Sequence, residues 1–151
     1  MAQNSNPFMS AIEEICEDKG LDKDTVIETV EAALAAAYRK DYGKPKQIMR
    51  AKMDQVTGQA DIFRVYTVVD SEEEVKEKEQ DLTLDQAVKL NKKAKIGEEI
   101  LIPLEHKEEF GRIAAQTAKQ VIIQRIREAE RELLYKEFKE KENQVVNATV
   151  Q

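Results

Sequence analysis

The side chains in this sequence that could carry out chemistry do not come in reactive sets. The one histidine, His106, and the one cysteine, Cys16, lie about ninety residues apart, which leaves no Cys/His zinc spacing and no local nucleophile and base pair. Cys16 follows Ile12 and Ile15 at the spacing of a helix's buried stripe, where a free thiol behaves as a small apolar side chain. His106 reads as a solvent-exposed residue near a helix start. The five glycines, at 20, 43, 58, 97 and 111, are too dispersed for a GxGxxG or GxxxxGK[ST] phosphate loop. Carboxylates are plentiful at 30, but acid–base work needs a concave site that shifts their pKa values, and any pair chosen from so many would be arbitrary. A non-enzymatic protein without metal or cofactor is the expectation.

Recognition by charge and shape remains. Two small basic clusters stand out, Arg39-Lys40 and Arg112 with Lys119. Each has a plain reading: compensation of a helix dipole for the first, solvated-face charge for the second. The net charge of −6 disfavours autonomous binding to a nucleic-acid backbone, which depends on neutralising phosphates. Aromatic residues are only 5% and form no basic–aromatic RNP string, so this piece alone is not expected to read nucleic-acid sequence. Local basic edges can still contact RNA inside a larger complex.

The elements that would carry these residues are legible. Asn6 and Pro7 are suited to cap and begin a helix, which Gly20 ends with a left-handed residue. Asp22 caps a second helix, with Leu21 and Val26 spaced as a hydrophobic staple. Val26, Ile27, Val30, Leu34, Ala37 and Tyr38 form its apolar face. Ala32, Ala33, Ala35 and Ala36 keep its body thin, and Pro45 forbids continuation. Residues 47–54 and 61–69 read as an antiparallel hairpin turned by Thr57-Gly58. The acidic stretch 70–80 reads as a solvated loop or edge. Thr83 and Gln86 have capping-box spacing before a short helix to about Lys92. A turn at 95–97 and a strand over 99–104 follow, stopped by Pro103.

From about Glu108 to Glu142 nothing breaks a helix, roughly 50 Å of rod at 1.5 Å per residue. Phe110, Ala114, Thr117 and Val121 make one apolar line, and Ala118, Ile122, Ile126, Ala129 and Leu133 an adjoining one. Glu132 with Lys136, and Glu137 with Lys141, are oriented as stabilising i,i+4 pairs. Val145–Val150 then reads as a new strand, expected to open a following domain. The fold class is α+β: a helical pair and a small antiparallel sheet forming a head, with a long C-terminal helix leading onward. Apolar runs are short, and the opening MAQNSNPFMS has neither a basic n-region nor an apolar h-region. A cytoplasmic protein with no membrane span or signal peptide is therefore expected.

The run 110–122, FGRIAAQTAKQVI, continued by QRIREAER over 124–131, closely resembles the signature helix of the NusA family of bacterial transcription factors. Residues 33–43, ALAAAYRKDYG, are similar to that family's second helix and its exit. The order of elements also agrees, so the resemblance covers almost all of 10–142. It implies a polymerase-binding domain over 1–142 and the truncated start of an S1-like domain over 143–151. In that family this domain docks on RNA polymerase beside the RNA exit channel, at the β-subunit flap tip, while S1 and KH domains handle nascent RNA. The implied function is modulation of pausing, termination and antitermination. Arg39, Lys40 and Arg112 are then the expected RNA-facing or exit-channel edge. Phe8, Ile12 and Val26 are candidates for a docking groove, although their regular spacing favours a place in the core. The segment before Pro7 and the acidic 71–80 tract have no close match to the family. The alternative carried beside this one is a charged helical scaffold or a ribosome-associated RNA-binding module.

Overall fold

The computed structural model describes residues 7–105 and 108–151, the side chain of Phe8 excepted. Helix α1 spans Pro7–Lys19 and α2 spans Lys23–Tyr42. Between them Gly20 takes φ +66°, and the Leu21 N–H donates to the Cys16 carbonyl at 2.9 Å, closing α1 with a Schellman bond. Asp22 caps α2: its carboxylate accepts from the Thr25 hydroxyl at 2.6 Å and the Thr25 N–H at 2.9 Å. Those two bonds, the hydroxyl's first, hold the Asp22 carboxyl below the ordinary aspartate range. The expected Asn6 cap and His106 lie outside the described residues.

Strand β2 (Ala60–Val69) is the centre of a four-stranded sheet. Strand β1 (Ile48–Met53) pairs with it antiparallel, Ala51 opposite Ile62. Strand β4 (Glu99–Pro103) pairs antiparallel with its other edge, Ile100 opposite Tyr66. The short β3 (Asp81–Thr83) pairs parallel, so the sheet is mixed where an antiparallel one was expected. Three residues are too few to display an alternation, which is why the sequence does not announce β3. It is set by the loop before it, where the Asp81 carboxylate accepts the N–H groups of Lys76 and Glu77 at 3.0 and 3.1 Å. Helix α3 (Leu84–Leu90) starts from the Thr83 and Gln86 capping box.

The main core joins one face of the sheet, through Ala51, Met53 and Ile62, to all three longer helices. Ile12 and Cys16 come from α1, Val30, Leu34 and Tyr38 from α2, and Phe110, Ala118 and Ile122 from α4 (Glu108–Glu140). A satellite cluster, Val68, Ala87, Ala94 and Ile100, sits beneath α3. The acidic stretch is more than a solvated loop, because its end docks on the sheet. Glu79 accepts from Gln47 Nε2 at 2.9 Å and Lys44 Nζ at 3.2 Å and also pairs with Arg64, while Gln80 donates to the Lys46 carbonyl at 2.7 Å. The Gln47 bond, then Lys44, depress the Glu79 carboxyl below the ordinary glutamate range.

On α4 the expected stripe is buried only in part. Phe110, Ala118 and Ile122 are covered, whereas every residue from Glu130 to Glu140 is exposed, Leu133 among them. Glu137 pairs with Lys141 at 2.7 Å, while the expected pair of Glu132 and Lys136 is not among the ion pairs of the described residues. The segment Val145–Val150 has no regular structure rather than the expected strand. A strand requires a neighbour to take its backbone N–H and C=O groups, and no described strand pairs with it.

Candidate functional site

Arg39 and Lys40 occupy the last turn of α2, and Arg112 lies in the opening turns of α4. The two helix ends are locked together by aromatic rings. Phe110 meets Tyr38 edge-on with centroids 5.1 Å apart and Tyr42 at 6.3 Å, and Tyr38 packs against Tyr42 at 5.0 Å. The Tyr38 hydroxyl donates to the Glu105 carbonyl at 3.3 Å, which ties α2 to the chain entering α4. Arg39, Lys40 and Arg112 are thereby gathered at one end of the helix pair, all three exposed. Lys119 is exposed as well, two turns further along α4.

Electrostatics at this end are mixed. Arg39 and Lys40 offset the negative C-terminal pole of α2, while Glu108 and Glu109 sit at the positive N-terminal pole of α4. Among the described residues, none of Arg39, Lys40 and Arg112 forms an ion pair, so their charge is available to an anionic partner. The exit of α2 is tight. A Cβ on Gly43 would lie 2.6 Å from Met49 Cε and 3.0 Å from the Arg39 backbone, so glycine is what lets the chain fold back into β1 beneath Arg39.

The apolar candidates fare differently. Ile12 and Val26 are only 1% and 3% exposed and belong to the main core, so they do not line a groove. Regular helical spacing marks both core and groove residues, and here the packing of α1 and α2 on the sheet took them. The side chain of Phe8 lies outside the described residues. Two clefts that the sequence reading missed open nearby instead. One, of about 320 Å³, separates the β1–β2 turn from α4 and is lined by Leu34, Met53, Gly58, Phe110, Gly111 and Ala114. A Cβ on Gly111 would meet nothing within 4 Å. The other, of about 520 Å³, runs between α2 and β1, from Glu28 and Glu31 past Ala32 and Ala36 to Arg39. The signal for the first was available in the sequence: Gly111, Ala114, Ala115 and Ala118 fall at i, i+3, i+4 and i+7 on one helix face.

Burial first, then nearby Asp22, pushes the Cys16 thiol up from its ordinary pKa, which suits a packed, unreactive side chain. Among the described residues no cluster of three or more His, Cys, Asp and Glu is placed to hold a metal ion, and no helix is long and apolar enough to cross a membrane.

Residues 7–132 match the profile of the family described as NusA N-terminal domain. The transcription termination/antitermination protein NusA of Rickettsia conorii is 38% identical over 146 residues, 95% of this chain and 27% of that protein. The protein of the same name from Bacillus subtilis is 35% identical over 147 residues, 97% of this chain and 38% of that protein. The chain thus spans well under half the length of these relatives. The solution structure of the N-terminal domain of NusA from B. subtilis is similar with a TM-score of 0.64 at 36% identity, covering 82% of this chain and 95% of that one.

Proposed function

Because the chain belongs to the NusA N-terminal domain family, we propose that it is the polymerase-docking part of a bacterial transcription termination and antitermination protein. It works without catalysis, in the cytoplasm, by binding RNA polymerase beside the RNA exit channel at the β-subunit flap tip. There it modulates pausing, termination and antitermination, while S1 and KH domains beyond residue 143 handle the nascent RNA.

The observation that carries this reading is the aromatic lock between α2 and α4, which holds the end of α2 with Arg39 and Lys40 against the start of α4 with Arg112, where an apolar cleft opens at Gly111. An apolar recess suits the side chains of a partner helix, and unpaired cations beside it suit the phosphates of emerging RNA. The cleft next to Gly111 takes over the docking role first considered for Ile12 and Val26, since those two are committed to the core.

The test is binding of the 151-residue chain to core RNA polymerase with and without the β flap tip. Flap-dependent binding is expected. Equal binding to both forms removes the flap tip as the partner, and binding to neither removes autonomous docking. A gel shift with generic RNA separates the alternative, because strong, salt-sensitive binding by the chain alone would favour an RNA-binding module.

A further inference from the structure

On the opposite edge of β2 from β1, strand β4 is uncapped. Its bonds to β2 run through the even-numbered residues: the Val68 N–H donates to the Glu98 carbonyl at 2.9 Å and the Leu104 N–H to the Ile62 carbonyl at 2.8 Å, with Ile100 opposite Tyr66 and Ile102 opposite Arg64. Antiparallel pairing alternates, so the N–H and C=O groups of Glu99 and Leu101 point away from the sheet. No described strand takes them. Along this edge runs a groove of about 540 Å³ bordered by Leu90, Leu101 and Pro103.

Native edge strands are usually blunted with proline and charge, and Pro103 ends this one in that way. The middle is not blunted. Leu90 and Leu101 are 58% and 45% exposed directly beside the free backbone groups. Close by in the chain, Lys89, Lys92, Lys93 and Lys95 are all exposed, and none forms an ion pair among the described residues. Four free cations in seven residues stand against a net charge of −6. Of the local carboxylates, Glu99 is engaged with Arg50 at 2.9 Å and Glu98 with the Lys95 N–H at 3.2 Å, and Asp85 lies at the start of α3.

We propose that this edge binds an extended, acidic segment of a protein partner, which adds beside β4 as a further strand. Unpaired groups at alternate residues specify an extended chain, since only a strand repeats its donors and acceptors at that interval. Apolar residues at alternate positions of the segment rest on Leu101, on the outer face, and the residues between them point to the α3 side, past Leu90. Its carboxylates face the lysine cluster. A nucleic acid would use the lysines but neither the leucines nor the strand ladder.

The test uses the 151-residue chain and a fluorescein-labelled heptapeptide of alternating glutamate and valine, with a ten-residue oligouridylate as competitor. Saturable binding is expected, with amide exchange at Glu99 and Leu101 slowed at least tenfold. The double variant Lys92→Glu/Lys93→Glu, which alters exposed residues only, should melt like the parent and bind the peptide about tenfold more weakly. Leu101→Pro removes an outward N–H without breaking a bond to β2 and should abolish binding. Three results overturn the proposal: no saturable binding at millimolar peptide, binding that leaves the two amides unprotected, or displacement by the oligouridylate at lower concentration than by unlabelled peptide.

Discussion

Replacing Phe110 by alanine removes the ring on which the end of the head is assembled. Phe110 is 2% exposed and meets both Tyr38 and Tyr42 edge-on. Burial of a phenylalanine is worth roughly 1.5–3 kcal/mol in area alone, and each edge contact adds about 0.5–1.5 kcal/mol. Phe→Ala substitutions in cores cost about 3–5 kcal/mol once the cavity is included. The ring borders an open cleft of about 320 Å³, so water can enter the space it vacates, which favours the lower end, about 3 kcal/mol. For a chain of this size each kcal/mol lowers Tm by about 2–4 °C, giving a fall of roughly 6–12 °C. Thermal melting followed by far-ultraviolet circular dichroism measures it. Affinity for core RNA polymerase, taken well below the new Tm, should fall as well, because the start of α4, which carries Arg112, is no longer fixed against the end of α2. A Tm lowered by less than about 3 °C would refute the lock.

Gly111→Ala should raise stability by about 0.5–1 kcal/mol, since the added Cβ meets open space and alanine is the better helix former; a lowered Tm would contradict that geometry. Arg39→Glu/Lys40→Glu replaces cations with anions at the C-terminal pole of α2, at about 0.3–1 kcal/mol per residue, so the fold should persist with a Tm lowered by about 1–8 °C. Pausing by the full-length protein should weaken, and undiminished pausing would remove these two residues from the functional edge. Glu79 has its pKa lowered in the fold, so its contribution to stability is fully present above the ordinary glutamate range and is lost as pH falls through the depressed value. The chain's Tm should therefore drop more steeply below that range than the Tm of a Glu79→Gln variant, and parallel curves would show that the Glu79 network contributes nothing.

The helices were legible because each carries its own signals at fixed offsets. Gly20 and Asp22 bracket the first turn, Thr83 and Gln86 open α3, and the uninterrupted run after Glu108 is α4. The parallel β3 was not legible, because its partner lies outside its own three residues and its position depends on loop bonds to Asp81. Glu79 illustrates the same limit. In sequence it is one acid in a charged run, and only the fold brings Lys44, Gln47 and Arg64 to it. At the candidate site, sequence named Arg39, Lys40 and Arg112 but not the rings that gather them. It also offered Ile12 and Val26 as possible groove residues, because periodicity identifies an apolar face without saying what covers it.

Helix α4 does two things that pull against one another. Its first half is core, with Phe110, Ala118 and Ile122 packed against α2 and the sheet. Beyond Ala129 every residue of the helix is exposed, including Leu133, Leu134, Tyr135 and Phe138. Ion pairs such as Glu137–Lys141 contribute only about 0.2–0.5 kcal/mol each, too little to nucleate a helix of this length in water. Helix formation is costly to start and cheap to extend, so the outer half draws its order from the packed half, with Lys19–Glu130 at 3.0 Å as the last tie to α1. The bond between Arg125 Nη2 and the Thr29 hydroxyl, 2.9 Å long, ties the packed part of α4 to α2. A rod anchored at one end in this way can set the position of whatever follows it relative to the head. The same aromatic lock that gathers Arg39, Lys40 and Arg112 therefore also fixes the direction in which α4 leaves.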